Sequence, residues 1–128
     1  MVHAQASIGS INYAVSITAG HHQLNADESA KLGGKDTGPA PYELLCSALG
    51  ACTAITLRMY AERKAWPLRA VHVDVRFEWQ GKEGAIARVL SFEGELDNEQ
   101  RARLADIAER TPVTLTLKHG VAITTTVA

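Results

Sequence analysis

The stretch from Pro41 to about Lys64 constrains this chain more than any other. Pro41 suits the first position of a helix, and Glu43 in the first turn complements the macrodipole. The apolar residues Leu44, Leu45, Ala48, Leu49, Ala51, Cys52, Ile55, Leu57 and Met59 then cover most of the helical circumference, which predicts burial on several sides. The rest of the fold must wrap such a helix. Its most apolar part, Leu44 to Leu57, is interrupted by Ser47, Thr53 and Thr56 and is shorter than the roughly 18 to 20 residues a membrane span needs, so a core helix is expected. Gly50 costs about 1 kcal/mol against alanine inside a helix, and a close backbone approach would account for it.

Strand signals surround the helix. Ile11, Tyr13, Val15 and Ile17 alternate with smaller or polar neighbours, and Gly9-Ser10 and Ala19-Gly20 supply turns, so two or three antiparallel strands are expected in the first twenty-five residues. From Ala26 to Pro41 the density of Gly, Pro and acidic residues favours a loop of the kind that often frames a site. Val71, Val73, Val75, Phe77 and Trp79 alternate with His72, Asp74, Arg76 and Glu78, and the turn QGKEG leads to a partner strand with Ile86, Leu90 and Phe92 on one side. Asp97 and Gln100 have capping-box spacing for a helix that Pro112 must stop near Arg110. Thr111 and Pro112 open a short helix that Gly120 breaks, and Val121, Ile123, Thr125 and Val127 predict a final strand. The fold class is α+β, and 128 residues suit one domain spanning 1–128.

Composition excludes several functions. The formal net charge is -1, and the thirteen Lys and Arg form no dense cluster, which argues against nucleic acid as a partner. The start MVHAQASIGS lacks the basic stretch and apolar run of a secretory signal, so the expected location is the cytoplasm, with no membrane partner. Two cysteines are too few for a disulfide framework. His21 and His22 are adjacent, which should make their side chains diverge, and no Cys or His recurs at ligand spacing, so no metal is expected.

Cys52 lies amid the small residues of ALGACTAIT, which leave space beside its sulfur and make it a candidate nucleophile. Buried packing is the competing reading for any free cysteine. Cys46, six residues earlier and about 9 Å along the axis, cannot reach Cys52 within one intact helix and is assigned to core packing. Glu43 precedes Cys52 by nine residues, so the helix alone does not bring it to the sulfur, and capping is its simpler role.

The run GGKDTGPAPYELLCSALGACTAITLRMYAERKAWPL, Gly33 to Leu68, resembles the signature of the OsmC/Ohr family, named for osmotically inducible protein C and organic hydroperoxide resistance protein. FEGELDNEQRARLADIAERTPV, Phe92 to Val113, resembles the family's second helical region, and the P-Y-E-L-L entry resembles its OsmC-like branch. The resemblance implies antiparallel sheets around a buried central helix in an intertwined homodimer. It also implies reduction of organic hydroperoxides or hydrogen peroxide, with Cys52 as the peroxidatic cysteine and no cofactor.

The family's resolving cysteine stands just before the Pro-Val of the second region, where this chain has Thr111. A hydroxyl forms no disulfide, so resolution by an external thiol is implied. The family's peroxidases also use an early-loop arginine and a glutamate at the helix start. Here no arginine precedes Arg58, Tyr42 occupies the glutamate place with Glu43 beside it, and Lys35 or Lys31 is left to supply positive charge. Two readings therefore stay open: a one-cysteine thiol peroxidase, and a non-catalytic relative that binds a small apolar ligand or a protein in the dimer cleft.

Overall fold

The computed structural model describes residues 1–128. The chain forms two units, Met1–Leu45 and Cys46–Ala128. In the first, three short strands make an antiparallel meander: β1 (Ala4–Ile8), β2 (Val15–Ala19) and β3 (His22–Ala26). Ile8 pairs with Val15 and Ala19 with His22, so Gly20-His21 forms the tight second turn. Ile11 and Tyr13 lie in the connection between β1 and β2 and not in a strand, because pairing resumes only at Val15.

The second unit is built on α1 (Pro41–Arg63), which begins in the first. β4 (Leu68–Gln80) and β5 (Glu83–Gly94) form one long antiparallel hairpin, closed by the two-residue loop Gly81-Lys82. Gly81 has φ 65, the positive value a primed hairpin turn requires of its first central residue. Across the hairpin Val71 faces Phe92, Val73 faces Leu90, Val75 faces Arg88 and Phe77 faces Ile86, which aligns the inward side chains of both strands. α2 (Asn98–Ala108) carries the full capping box: the Gln100 backbone N–H donates to Asp97 Oδ1 at 2.8 Å, and the Asp97 N–H to Gln100 Oε1 at 3.0 Å. α3 (Pro112–His119) starts with Pro112 as anticipated.

The core of this unit is Leu57 and Ala61 of α1, Leu68 of β4, Leu96, and Leu104 and Ala108 of α2, with Val71, Leu90, Phe92 and Ile107 packed around them. A lone two-stranded hairpin is marginal in water, so these helix contacts are what hold it.

Two expectations need correction. Burial of α1 is confined to one stripe, Leu49, Thr53, Leu57 and Ala61, while Ile55 is 54% and Met59 56% exposed, because nothing in the single chain covers the opposite flank. By length and mean hydropathy α1 could cross a bilayer, a criterion that the core helix of a globular protein also meets. The final strand is absent: residues 121–128 have no regular structure, and Ile123 is 83% exposed. An alternating segment becomes a strand only when another strand receives its backbone hydrogen bonds, and none in this chain does.

Gly50 also differs from expectation. A Cβ built there would meet only Val75 Cγ2, at 3.6 Å, which is ordinary contact and not close backbone approach. Gly50→Ala is therefore expected to raise stability by about 0.5 to 1 kcal/mol in urea denaturation; a loss of stability would show that the gap beside Val75 is filled.

Candidate functional site

Cys52 sits in the fourth turn of α1, next to the buried Thr53, and is itself partly exposed. Its flank of the helix is the one that Ile55 and Met59 leave open, whereas Thr53 points into the core. Cys46 is also a free, partly exposed thiol, and it does not pack in the core as expected. It lines an open cleft of about 410 Å³ with Ser47, Gly50 and Ala51 of α1 and Val73 and Val75 of β4. Gly50 and Ala51 carry almost no side chain, which leaves this space between helix and hairpin.

The other predicted site residues belong to the first unit. Glu43 Oε1 accepts from the Ala40 backbone N–H at 2.9 Å, the capping role its position suggested. Tyr42, beside it, is exposed. Lys35 and Lys31 are surface side chains, and Lys35 is tied down by its backbone N–H, which donates to Asp27 Oδ2 at 3.3 Å. The His21 and His22 rings do not diverge: their centroids are 4.1 Å apart, tilted by 35°. No group of three His, Cys, Asp or Glu side chains gathers as a metal site would need.

Asp27 is what gives the Gly- and Pro-rich loop its shape. Its buried carboxylate accepts the Thr37 hydroxyl at 2.6 Å and the backbone N–H groups of Thr37, Glu28 and Tyr13 at 3.1, 2.7 and 3.1 Å. Gly34 belongs to the same fold-back, since a Cβ there would lie 2.1 Å from the Glu28 carbonyl oxygen. The Thr37 hydroxyl, with these amides, holds the carboxyl well below the usual carboxylate range, although burial opposes the shift. A depressed folded value means the stabilisation is complete well above the unfolded value of about 3.9 and is lost as pH falls toward the folded one. Amide protection factors at Glu28, Lys35 and Thr37 are expected to fall between pH 6 and pH 3, and to be low at both in Asp27→Asn. Equal protection in the wild type and Asp27→Asn would contradict this role.

Sequence reasoning missed Arg88. It occupies an inward place on β5 between Ile86 and Leu90, and its side chain is only 10% exposed. One guanidinium nitrogen donates to Thr53 Oγ1 at 3.0 Å and Thr114 Oγ1 at 2.9 Å. The other donates to the Ala108 carbonyl at 2.8 Å and Glu109 Oε2 at 2.9 Å. Thr111, fully buried, is the N-cap residue of α3, but its hydroxyl meets Thr114 at 2.6 Å and makes no capping bond to the helix backbone. The signal was available: period-two alternation through Ile86, Leu90 and Phe92 puts residue 88 on the inward face.

The family model described as OsmC-like protein matches residues 33–126, so the chain belongs to the OsmC-like protein family. Among solved structures it is similar to the OsmC-like protein from Mycoplasma pneumoniae, at 17% identity over 92% of this chain and 87% of that one, with a TM-score of 0.79. It is also similar to the organic hydroperoxide resistance protein OsmC from Legionella pneumophila, at 21% identity over 92% and 89%, TM-score 0.66. A third is the organic hydroperoxide resistance protein OhrB of Bacillus subtilis, at 20% identity over 91% and 90%, TM-score 0.64. No curated protein sequence matches the chain. At these identities the likeness establishes the OsmC-like fold.

Proposed function

We propose that this protein is a one-cysteine thiol peroxidase that reduces organic hydroperoxides or hydrogen peroxide in the cytoplasm, with Cys52 as the reacting thiol. The observation that carries the reading is a partly exposed thiol, Cys52, on the open flank of α1, within the stretch that the OsmC-like family model matches. Two structural relatives named for organic hydroperoxide resistance support the substrate class. The Cys52 thiolate attacks one peroxide oxygen, the O–O bond breaks, and the departing alkoxide takes a proton to leave as an alcohol. The sulfur retains the other oxygen as a sulfenic acid. An external thiol condenses with it, releasing water and forming a mixed disulfide, and a second thiol restores Cys52 and leaves as a disulfide. Thr111 is buried and engaged with Thr114, which fits resolution from outside the chain. Tyr42, Glu43 and Lys35 are the chain's candidates for assisting the thiol. The test is oxidation of wild type, Cys52→Ser and Cys46→Ser by cumene hydroperoxide, with activity lost only in Cys52→Ser; equal consumption by Cys52→Ser ends the proposal.

The working form in this reading is an intertwined homodimer. The flank with Ile55 and Met59, and the unpaired strand-like segment after Gly120, are surfaces a second copy would partly cover, leaving Cys52 in a cleft between the two copies that a small peroxide can enter. Sedimentation at micromolar concentration is expected to show a dimer for the wild type and a monomer for Ile55→Glu/Met59→Glu. A monomeric wild type would overturn the assembly.

A further inference from the structure

We propose that Arg88 is a positioning residue for the Cys52 thiol, acting through Thr53, the next residue of α1. This rests on the reading of Cys52 as the peroxidatic sulfur. Apolar packing is non-directional, so the stripe Leu49, Leu57 and Ala61 leaves the roll of α1 about its axis weakly determined. A guanidinium is a rigid, planar set of donors, and its bond to Thr53 Oγ1 fixes that roll. Thr53 is held on its other side too, since its hydroxyl donates to the Leu49 carbonyl at 2.7 Å. Neighbouring helix residues differ by about 100° in direction, so pinning Thr53 inward turns Cys52 toward the edge of the buried stripe, where it is partly exposed.

The far side of the clamp anchors the guanidinium. Thr114 accepts from the same nitrogen that holds Thr53, its hydroxyl meets Thr111, and the Ala108 carbonyl receives the second nitrogen. Thr111, at the place of the family's resolving cysteine, therefore belongs to the support of Cys52. Only one of the four acceptors, the exposed Glu109 carboxylate, carries charge; the other three, on α1, α2 and α3, are neutral. Placing a guanidinium among them is costly enough that its directed bonds to Thr53 and Thr114 call for a role beyond packing.

The test uses the full chain, with Cys46 as an internal reference on the same helix. Iodoacetamide labelling of each cysteine is followed by peptide mass spectrometry across pH in wild type, Thr53→Val, Thr53→Ser and Arg88→Lys. Thr53→Val keeps the shape of the side chain and removes the acceptor, so it tests the clamp with little risk to folding. The clamp predicts a changed Cys52 pH profile and a Cys52-to-Cys46 rate ratio altered by about threefold or more in Thr53→Val and Arg88→Lys, with Thr53→Ser like the wild type. An unchanged ratio and profile would overturn it, and so would both thiols speeding up together, the signature of general loosening. The assay needs no peroxide, so its outcome is separate from whether Cys52 reduces one.

Discussion

Replacing Cys52 with serine is expected to lower the rate of cumene hydroperoxide reduction by about 10²-fold or more, down to the uncatalysed background, because no other group in the site can accept the peroxide oxygen reversibly. Cys46→Ser is expected to retain the wild-type rate. The two thiols differ in placement: Cys46 faces the cleft toward Val73 and Val75, while Cys52 stands on the open flank of α1 beside the clamped Thr53. Steady-state assays with an external dithiol, run on both variants after circular dichroism has shown unchanged helix content, distinguish them. A fall in Cys46→Ser with Cys52→Ser unaffected would exchange the roles of the two cysteines.

The second large effect concerns stability. Arg88→Leu is expected to destabilise the chain by about 3 kcal/mol, since the buried Thr53 and Thr114 hydroxyls and the Ala108 carbonyl lose a charged donor together, the carbonyl keeping only the longer 3.3 Å bond from the Thr114 hydroxyl. Glu109→Gln, at the exposed end of the same guanidinium, is expected to cost only about 0 to 1 kcal/mol. Urea denaturation of both variants checks the contrast. Similar losses in the two would mean that the ion pair, and not the buried hydroxyl network, supplies the stability.

Much of the architecture was legible because its signals are local. Pro41 and Glu43 marked the start of α1, alternation from Val71 to Trp79 marked β4, and Asp97 with Gln100 marked α2, each through a repeat or cap a few residues long. What was not legible depends on partners far along the chain. The hydroxyls of Thr53, Thr111 and Thr114 look like ordinary small polar residues until Arg88 reaches them, across thirty-five residues in the case of Thr53. Asp27 is one acidic residue among several in its loop, and only the fold-back of residues 28–37 shows it as the acceptor of so many donors. The segment from Val121 to Val127 carries a true strand pattern, yet pattern alone provides no partner. For the candidate site, family resemblance pointed to Cys52, while geometry added the Arg88–Thr53 bond beside it and moved Cys46 from the core to a cleft.

The most direct measurement is a titration of reduced wild-type protein with cumene hydroperoxide in the presence of dimedone, followed by peptide mass spectrometry. One equivalent of peroxide should place the sulfenic-acid adduct on Cys52 and leave Cys46 unlabelled. An adduct on Cys46 alone, or none on either cysteine while the peroxide persists, would contradict the account.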